Sequence, residues 1–400
     1  MLPVEAVGGE MRGIRCWCAA ALIACTPSSR LLAGGWDRAD QGVDLLFDPG
    51  KLTFDVRFYD VFPTRKLTTV NGHPEAVNTV PPRIFRPSVN AKFVPFDNAA
   101  CLAAYRQPFG LDSDYGSTWS QASVVVSRTL RVQELGLTCS YRKQAGAGYV
   151  RLIGGVTEDF ATYHEEALRQ LPNGSSIRPA IDLDGTSTGW RAGTAYELPA
   201  SALRASIVYY SPLDFTVRGH LSQVPLRGNA FISTVPAFTS ASLPQAVEAV
   251  FQGAIAAAWL NTVFVKWANW SVLASAPVIV SLNTGPLRAG QTLSTLNVFY
   301  RDGLSISDTV THRLSDKLAL SVAIGWDRGV ATGWTDTGDA WQALGFANYR
   351  INEHLEVTGG LGVILTMPGV TDKLAQGGSF NSTSALGTTV FTHVGFRSRF

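Results

Sequence analysis

Few of the 400 residues fall in a pattern that supports covalent or metal chemistry. Gly185-Thr186-Ser187-Thr188-Gly189 spells G-x-S-x-G, the sequence of a nucleophile elbow. That device needs a strand before the serine and a helix after it, so that the hydroxyl stands on a strained turn. Here a loop precedes and an alternating segment follows, so a chance match is the simpler reading. A lipid hydrolase would need such a serine, or a carboxylate dyad, on the outer rim of the fold. The six histidines (73, 164, 220, 312, 354 and 393) show no metal-ligand spacing. Asp112-Ser113-Asp114-Tyr115-Gly116 begins like a calcium loop but lacks the rest of one. Phosphate loops and dinucleotide fingerprints are missing. The sequence points away from an enzyme, and neither a cofactor nor a metal is expected.

The composition suits a different task. Apolar residues make up 46% and charged residues only 16%, against about a quarter charged in soluble domains. The net charge is +2, without the clustered basic excess that a nucleic-acid surface requires. Beyond the N-terminal region no run of 18 or more apolar residues occurs, since Asn261 breaks the richest one, 254–265. A chain of this kind that lives in lipid must close into a barrel, because lipid offers no partner to an unpaired backbone group. A large soluble all-β protein is the alternative.

The N-terminal region reads as a secretory signal over 1–33. Arg12 and Arg15 follow Met11, the apolar stretch 16–25 is too short to span a bilayer, and Ala33 precedes Gly34. Translation from Met11 would explain why the acidic residues 1–10 look unlike a signal. A rival is lipoprotein processing at Leu22-Ile23-Ala24-Cys25. Export leaves two cysteines, Cys101 and Cys139, which either pair in an oxidising compartment or remain as two small apolar residues.

The elements that would carry any site are strands. From 203 to 221 the odd positions include Leu203, Ile207, Tyr209, Leu213, Phe215, Val217 and Leu221, and the even ones Arg204, Ser206, Asp214, Thr216, Arg218 and His220. Nineteen residues of period-2 alternation exceed the strand of about 5–6 residues usual in globular sheets. They suit a tilted strand crossing a bilayer and projecting beyond it. The same period recurs at 317–327 and 355–366. Tight links near 199–200, 315–316 and 352–354 alternate with long polar links near 162–185, 223–244, 275–291 and 367–382. Short turns on one side and long loops on the other describe an outer-membrane barrel. The count is fourteen strands, from about 51–62 to 384–400, with both ends periplasmic. In the last strand Val390, Val394, Phe396 and the terminal Phe400 share one face, as at an interfacial aromatic girdle. The expected fold is therefore all-β, a transmembrane antiparallel barrel over 51–400, preceded by a short segment, 34–50.

Several stretches resemble the FadL-type outer-membrane transporters, the long-chain fatty acid family that includes TodX-like aromatic hydrocarbon importers. Asp37-Arg38-Ala39-Asp40-Gln41-Gly42 and Leu46-Phe47-Asp48-Pro49-Gly50 look like the family's plug, with Asp48-Pro49-Gly50 departing from its usual Asn-Pro-Ala. Pro108 through Tyr115 matches the third-strand exit. Gly189 to Gly193 with Tyr196-Glu197-Leu198 looks like the sixth strand, Leu243-Pro244 the start of the eighth, and Trp267 to Ser271 the end of the ninth. The similarity is collinear over most of the mature chain. It implies passive uptake of fatty acids or hydrocarbons into a lumen closed by an N-terminal plug, with sideways release through a break in the third strand. It further implies an outer-membrane location, a monomer, and folding by the barrel assembly machinery. A general diffusion porin or an adhesin-like barrel is the alternative.

Specific residues follow. Phe47, Asp48, Pro49 and Gly50 end the plug, or form an ordinary turn. At Pro108, Phe109 and Gly110 pairing should fail, because proline gives no ladder N–H and glycine permits a bend; a simple strand end would look the same. Ligand-binding candidates are Leu111, His164, Arg191, Lys266, Leu344 and Phe346. Arg191, Arg204 and Lys266 are expected to face inward, serving either a ligand carboxylate or ion pairs with neighbours such as Glu197. His164 stands where the family tends to place a basic residue. Leu344 and Phe346 lie opposite Trp341 and Ala343, which suggests an apolar pocket.

Overall fold

The computed structural model describes residues 35–38, 42–75, 82–336 and 338–400. The signal segment 1–33, the alternative start at Met11, and residues 34 and 39–41 lie outside the described residues. Fourteen strands follow in order among the described residues. They are β1 (Leu52–Thr64), β2 (Ile84–Phe96), β3 (Ala99–Asp114), β4 (Ser127–Ala145), β5 (Gly148–Glu166), β6 (Ala180–Leu198) and β7 (Leu203–Tyr210 and Leu213–Pro225). Then come β8 (Phe231–Leu243 and Ala246–Ala256), β9 (Trp259–Ala268 and Ser275–Val280), β10 (Thr292–Asn297 and Gly303–Arg313), β11 (Leu318–Arg328), β12 (Ala340–Arg350), β13 (Leu355–Thr366) and β14 (Gly387–Arg399). Each pairs antiparallel with the next, and β1 pairs with β14 from Thr53↔Arg399 to Thr64↔Thr388. The ring is closed, and apart from the upper parts of β2 and β3 it leaves no sheet edge unpaired in lipid among the described residues.

The two faces invert the pattern of a soluble protein. In β4, Leu135 and Leu137 are exposed while Glu134, Thr138 and Ser140 are buried. In β11, Val322 and Ile324 are exposed and Ser321 is buried. Oily side chains stand outward all around the ring, where lipid rather than water meets them, and polar ones fill the interior. The outer row of β14, with Val390, Val394, Phe396 and the terminal Phe400, belongs to this surface. Strands β4, β5 and β6 have 19 residues each, well over the 9–11 needed to span. Their upper outward positions turn polar, with Arg131, Thr162 and Asp184 side by side.

The single strand expected over 203–221 is two segments. Pro212 brings no N–H, and the chain slips by one residue at Ser211-Pro212. Below the break Arg204, Val208 and Tyr210 are buried and Ile207 is outward; above it Leu213, Phe215 and Val217 are buried. A slip of one residue swaps the faces, so the odd row passes from lipid to interior. In the same way β8 breaks at Pro244-Gln245, and β9 and β10 break at 269–274 and 298–302. The long link expected at 223–244 is largely strand, because β7 reaches Pro225 and β8 starts at Phe231, and the one expected at 275–291 begins with strand, because β9 continues over Ser275–Val280. The link expected at 162–185 shrinks to 167–179. These stretches rise beyond the lipid, where an outward face no longer has to be apolar, and they therefore read as polar loops.

Candidate functional site: the lumen and a gap in its wall

The chain before β1 lies against inward side chains of many strands. Asp37 meets Lys266 on β9 at 2.5 Å, both side chains almost fully buried. Asp44 pairs with Arg204 on β7 at 3.1 Å. Arg151 on β5 donates to the Leu46 carbonyl at 3.2 Å, and the guanidinium groups of Arg151 and Arg204 lie 4.8 and 4.5 Å from the Phe47 ring centre. Lys92 on β2 donates to the carbonyl oxygens of Asp48 and Gly50. The Asp48 carboxylate accepts from the Gly50 N–H at 2.9 Å and the Thr53 hydroxyl at 3.0 Å, and pairs with Arg399 at 2.9 Å. Burial alone would raise that carboxyl's pKa, but Arg399 and Arg397 hold it below the ordinary aspartate value. Leu45, Leu46 and Phe47 form a short 3-10 turn and are buried.

The breaks in β7–β10 stand side by side and form a seam. Trp270 and Tyr300 turn inward from it and meet Trp36 edge-on, at centroid distances of 6.2 and 6.1 Å. Beneath the seam the interior is charged or polar, with Arg204, Glu248, Gln252, Lys266 and Ser305 all buried. Above it the interior is apolar. Trp36, Leu130, Val132, Phe215, Val217, Leu243, Val278 and Leu296 line a cavity there. Higher still, Leu67, Val70, Trp119, Val125, Val126 and Phe380 from three loops pack into an apolar cluster, with Tyr115 stacked on Trp119 at 4.5 Å.

The wall opens beside β3. Against β4, pairing runs to Arg106↔Glu134 and resumes at Phe109↔Val132, so β3 carries one extra residue at Gln107-Pro108. A bulge bends a strand and reverses its faces. Ala100, Leu102 and Arg106 are buried below it, and Phe109 packs on Trp270 at 5.9 Å above it. Against β2 the ladder ends at Val89↔Tyr105, leaving the upper parts of β2 and β3 unpaired with each other. The N-terminal segment takes up the freed groups: Arg38 N–H donates to Pro108 O at 2.8 Å, and Gly110 N–H to Trp36 O at 2.9 Å. The Arg38 guanidinium binds Asp112, and Arg86 of β2 donates to Arg38 O, so Arg38 spans the gap. A Cβ on Gly110 would fall 2.2 Å from the Arg38 guanidinium carbon, so only glycine permits this approach.

A second cavity lies on the β1, β2 and β12–β14 side. Its wall is tiered by register. One row joins Phe346, Gly360, His393, Tyr59 and Arg86. The row below holds Asn348, Thr358 and Arg57, and the row above Leu344, Phe391 and Val61.

Each expected residue can now be placed. Phe47, Asp48, Pro49 and Gly50 lead into β1, and Pro108, Phe109 and Gly110 lie at the bulge. Leu111 packs against the apolar cluster of the upper lumen, while Leu344 and Phe346 line the second cavity. Arg191 and Lys266 do face inward, but protein carboxylates hold them: Arg191 pairs with Glu134 at 2.7 Å, and Lys266 with Asp37 and Glu248. Glu197 instead pairs with Arg151. His164 points outward, since it alternates on β5 with inward Tyr163, and it bonds Asp182 on the outer surface at 2.7 Å. It therefore cannot greet a ligand inside the lumen. Ser187 lies inside β6, buried, with no helix after it. Cys101 and Cys139 are opposite each other on β3 and β4 and are disulfide-bonded. Sequence reasoning missed Arg38 and Trp36, whose partners come from elements far away in the chain. It also missed His393, which sits in an ordinary alternating strand.

A closed outer-membrane barrel with an interior divided between charged and apolar regions, and a gap in its wall, defines a class of hydrophobic-compound channel. The family model for outer membrane protein transport proteins (OMPP1/FadL/TodX) matches residues 55–361, and the chain belongs to that family. Comparison with curated protein sequences finds no match. Among solved structures, the chain resembles a Pseudomonas aeruginosa FadL homologue at TM-score 0.75 and 14% identity, covering 94% of this chain and 99% of that one. It resembles the Ralstonia pickettii toluene transporter TbuX at TM-score 0.67 and 14% identity (95% and 99% covered), and the P. putida toluene transporter TodX at 0.65 and 13% (90% and 93%). At these identities the structural likeness speaks for the fold. The family is one of outer-membrane transport barrels rather than enzymes.

Proposed function

We propose that this protein takes up hydrophobic compounds passively, binding them in the lumen and releasing them sideways into the membrane. The observation that carries this reading is the apolar cavity above the seam, beside a strand whose pairing with β2 has lapsed. A hydrocarbon gains about 0.8 kcal/mol per buried CH₂, so a water-filled path offers it nothing, while an apolar chamber beside a lateral gap leads from one oily environment to another. Residues 34–50 act as the plug: their ion pairs with β7, β9 and the C-terminal arginines, and the hydrogen bonds that Lys92 of β2 donates to their carbonyl oxygens, fit a segment that bars small ions from the periplasm. The chain works as a monomer and is folded by the barrel assembly machinery, with Phe400 and its row as the recognised strand. The substrate class is long-chain fatty acids or aromatic hydrocarbons, the latter being what TodX and TbuX carry by name.

Three measurements test this. A deletion strain should lose growth on oleate or on toluene-type carbon sources; unchanged growth on both would count against uptake. Deleting Pro108 removes the extra residue of β3 and should let its ladder with β4 run on without the kink. Uptake should then fail in a folded barrel, and undiminished uptake would rule out lateral release. A large steady current through the wild-type protein in planar bilayers would instead favour a general diffusion porin.

A further inference from the structure

Unlike the apolar chamber, the second cavity is lined by charged groups that pair with one another, such as Asp55 with Arg57 and Arg397, and by two polar side chains that lack such partners among the described residues. His393 and Asn348 are both almost fully buried, and both line it. Among the described residues, neither ring nitrogen of His393 has a hydrogen-bond partner, and nor does Asn348 Nδ2. Asn348 Oδ1 accepts from the Thr358 hydroxyl at 2.7 Å, which leaves the amide nitrogen as the group turned to the cavity. His393 is held by rings alone, with Tyr59 at 4.8 Å and Phe346 at 6.0 Å. Buried donors without partners are costly, and such sites ordinarily serve a ligand or water. Asn348 and His393 stand on adjacent rows, while the row above them is apolar, with Leu344, Phe391 and Val61. Glycines let the Leu344 and Phe346 side chains lie against the wall: a Cβ on Gly362 would fall 2.1 Å from Leu344 Cδ2, and one on Gly360 2.5 Å from the Phe346 ring.

We infer that this cavity is a second binding site, which takes hydrophobic molecules bearing a carbonyl or carboxylate oxygen. The oxygen sits low, against Asn348 and His393, and the apolar body points up along Leu344, Phe391 and Val61. This rests on the uptake reading and adds to it a site that sorts oxygenated from plain hydrocarbons.

The test uses the full-length mature protein in lipid nanodiscs and three ligands with the same number of carbon atoms: ethylbenzene, acetophenone and phenylacetate. Wild type should bind at least one of the two oxygenated ligands about tenfold more tightly than ethylbenzene. A preference for both assigns the donors to a carbonyl oxygen; a preference for phenylacetate alone assigns them to an anion. The apolar variants Asn348→Leu and His393→Phe should remove the preference and leave ethylbenzene binding unchanged, with heat-modifiable gel mobility confirming a folded barrel. Should His393→Phe fail to fold, Asn348→Leu alone carries the test. Equal binding of all three ligands by wild type, or an unchanged preference in the folded variants, would overturn the second site while uptake stands. No binding of any ligand would overturn both.

Discussion

The lower and upper halves of the lumen under β7–β10 are built on the same strands yet hold opposite chemistry. Below the seam, Arg204 engages Asp44 of the N-terminal segment, and Lys266 engages both Asp37 of that segment and Glu248 of β8. Above it, Val217, Leu243 and Val278 enclose an apolar space. On β7 and β8 the difference comes from single-residue slips at Ser211-Pro212 and Pro244-Gln245, which turn the opposite sequence face inward, while on β9 the even positions stay inward and the residues themselves change, from Lys266 to Val278. One sheet can thus hold a charged stopper and an oily chamber without any change of fold.

The comparison can be broken from either half. The largest effect is expected from Val132→Asp, which places an unpaired carboxylate in the apolar chamber. It should destabilise the barrel by more than about 4 kcal/mol in denaturant titrations and abolish hydrocarbon uptake. A mild effect would mean that the chamber is wet. Next is Lys266→Met, which leaves Asp37 and Glu248 buried without their cation. Removing one partner of a buried pair costs about 3–5 kcal/mol, so the N-terminal segment should loosen and ionic conductance rise. The companion change Asp37→Leu should restore part of the loss.

A smaller effect concerns pH. The Asp48 pKa is depressed in the folded state, so its contribution is present above the unfolded aspartate value of about 3.9 and is lost as pH falls through the lower folded value. Conductance and protease access to the N-terminal segment should stay flat from pH 8 to about 5 and rise only in stronger acid. Release already at pH 6 would implicate another group. The smallest effect is expected at the outer rim, where Arg178 meets Glu166 with its side chain half exposed. Arg178→Ala should shift stability by no more than about 0.5 kcal/mol and leave uptake unchanged.

Much of the barrel was legible because lipid imposes a strict rule on outward residues. Leu318 to Trp326 and Leu355 to Leu365 alternate plainly, and both are strands of the ring. Where strands leave the lipid the rule lapses, which is why 223–244 read as a loop although most of it is β8. The bulge was half legible: Pro108 and Gly110 announce a fault in β3, but a strand end would look the same. That Gly110 clears room for Arg38 is invisible without the fold, as the two lie 72 positions apart. His164 failed as a lumen residue because direction within a strand depends on register, and one residue reverses it.

The sequence by itself determined an antiparallel barrel of fourteen strands, exported and set in a membrane, because period-2 patterning and the lack of a long apolar run admit few other solutions. Only the tertiary structure decided which face of each broken strand points inward, which carboxylates hold Arg191 and Lys266, and where β3 parts from β2. Those outcomes depend on contacts between residues far apart in the chain, and a local pattern carries no record of them.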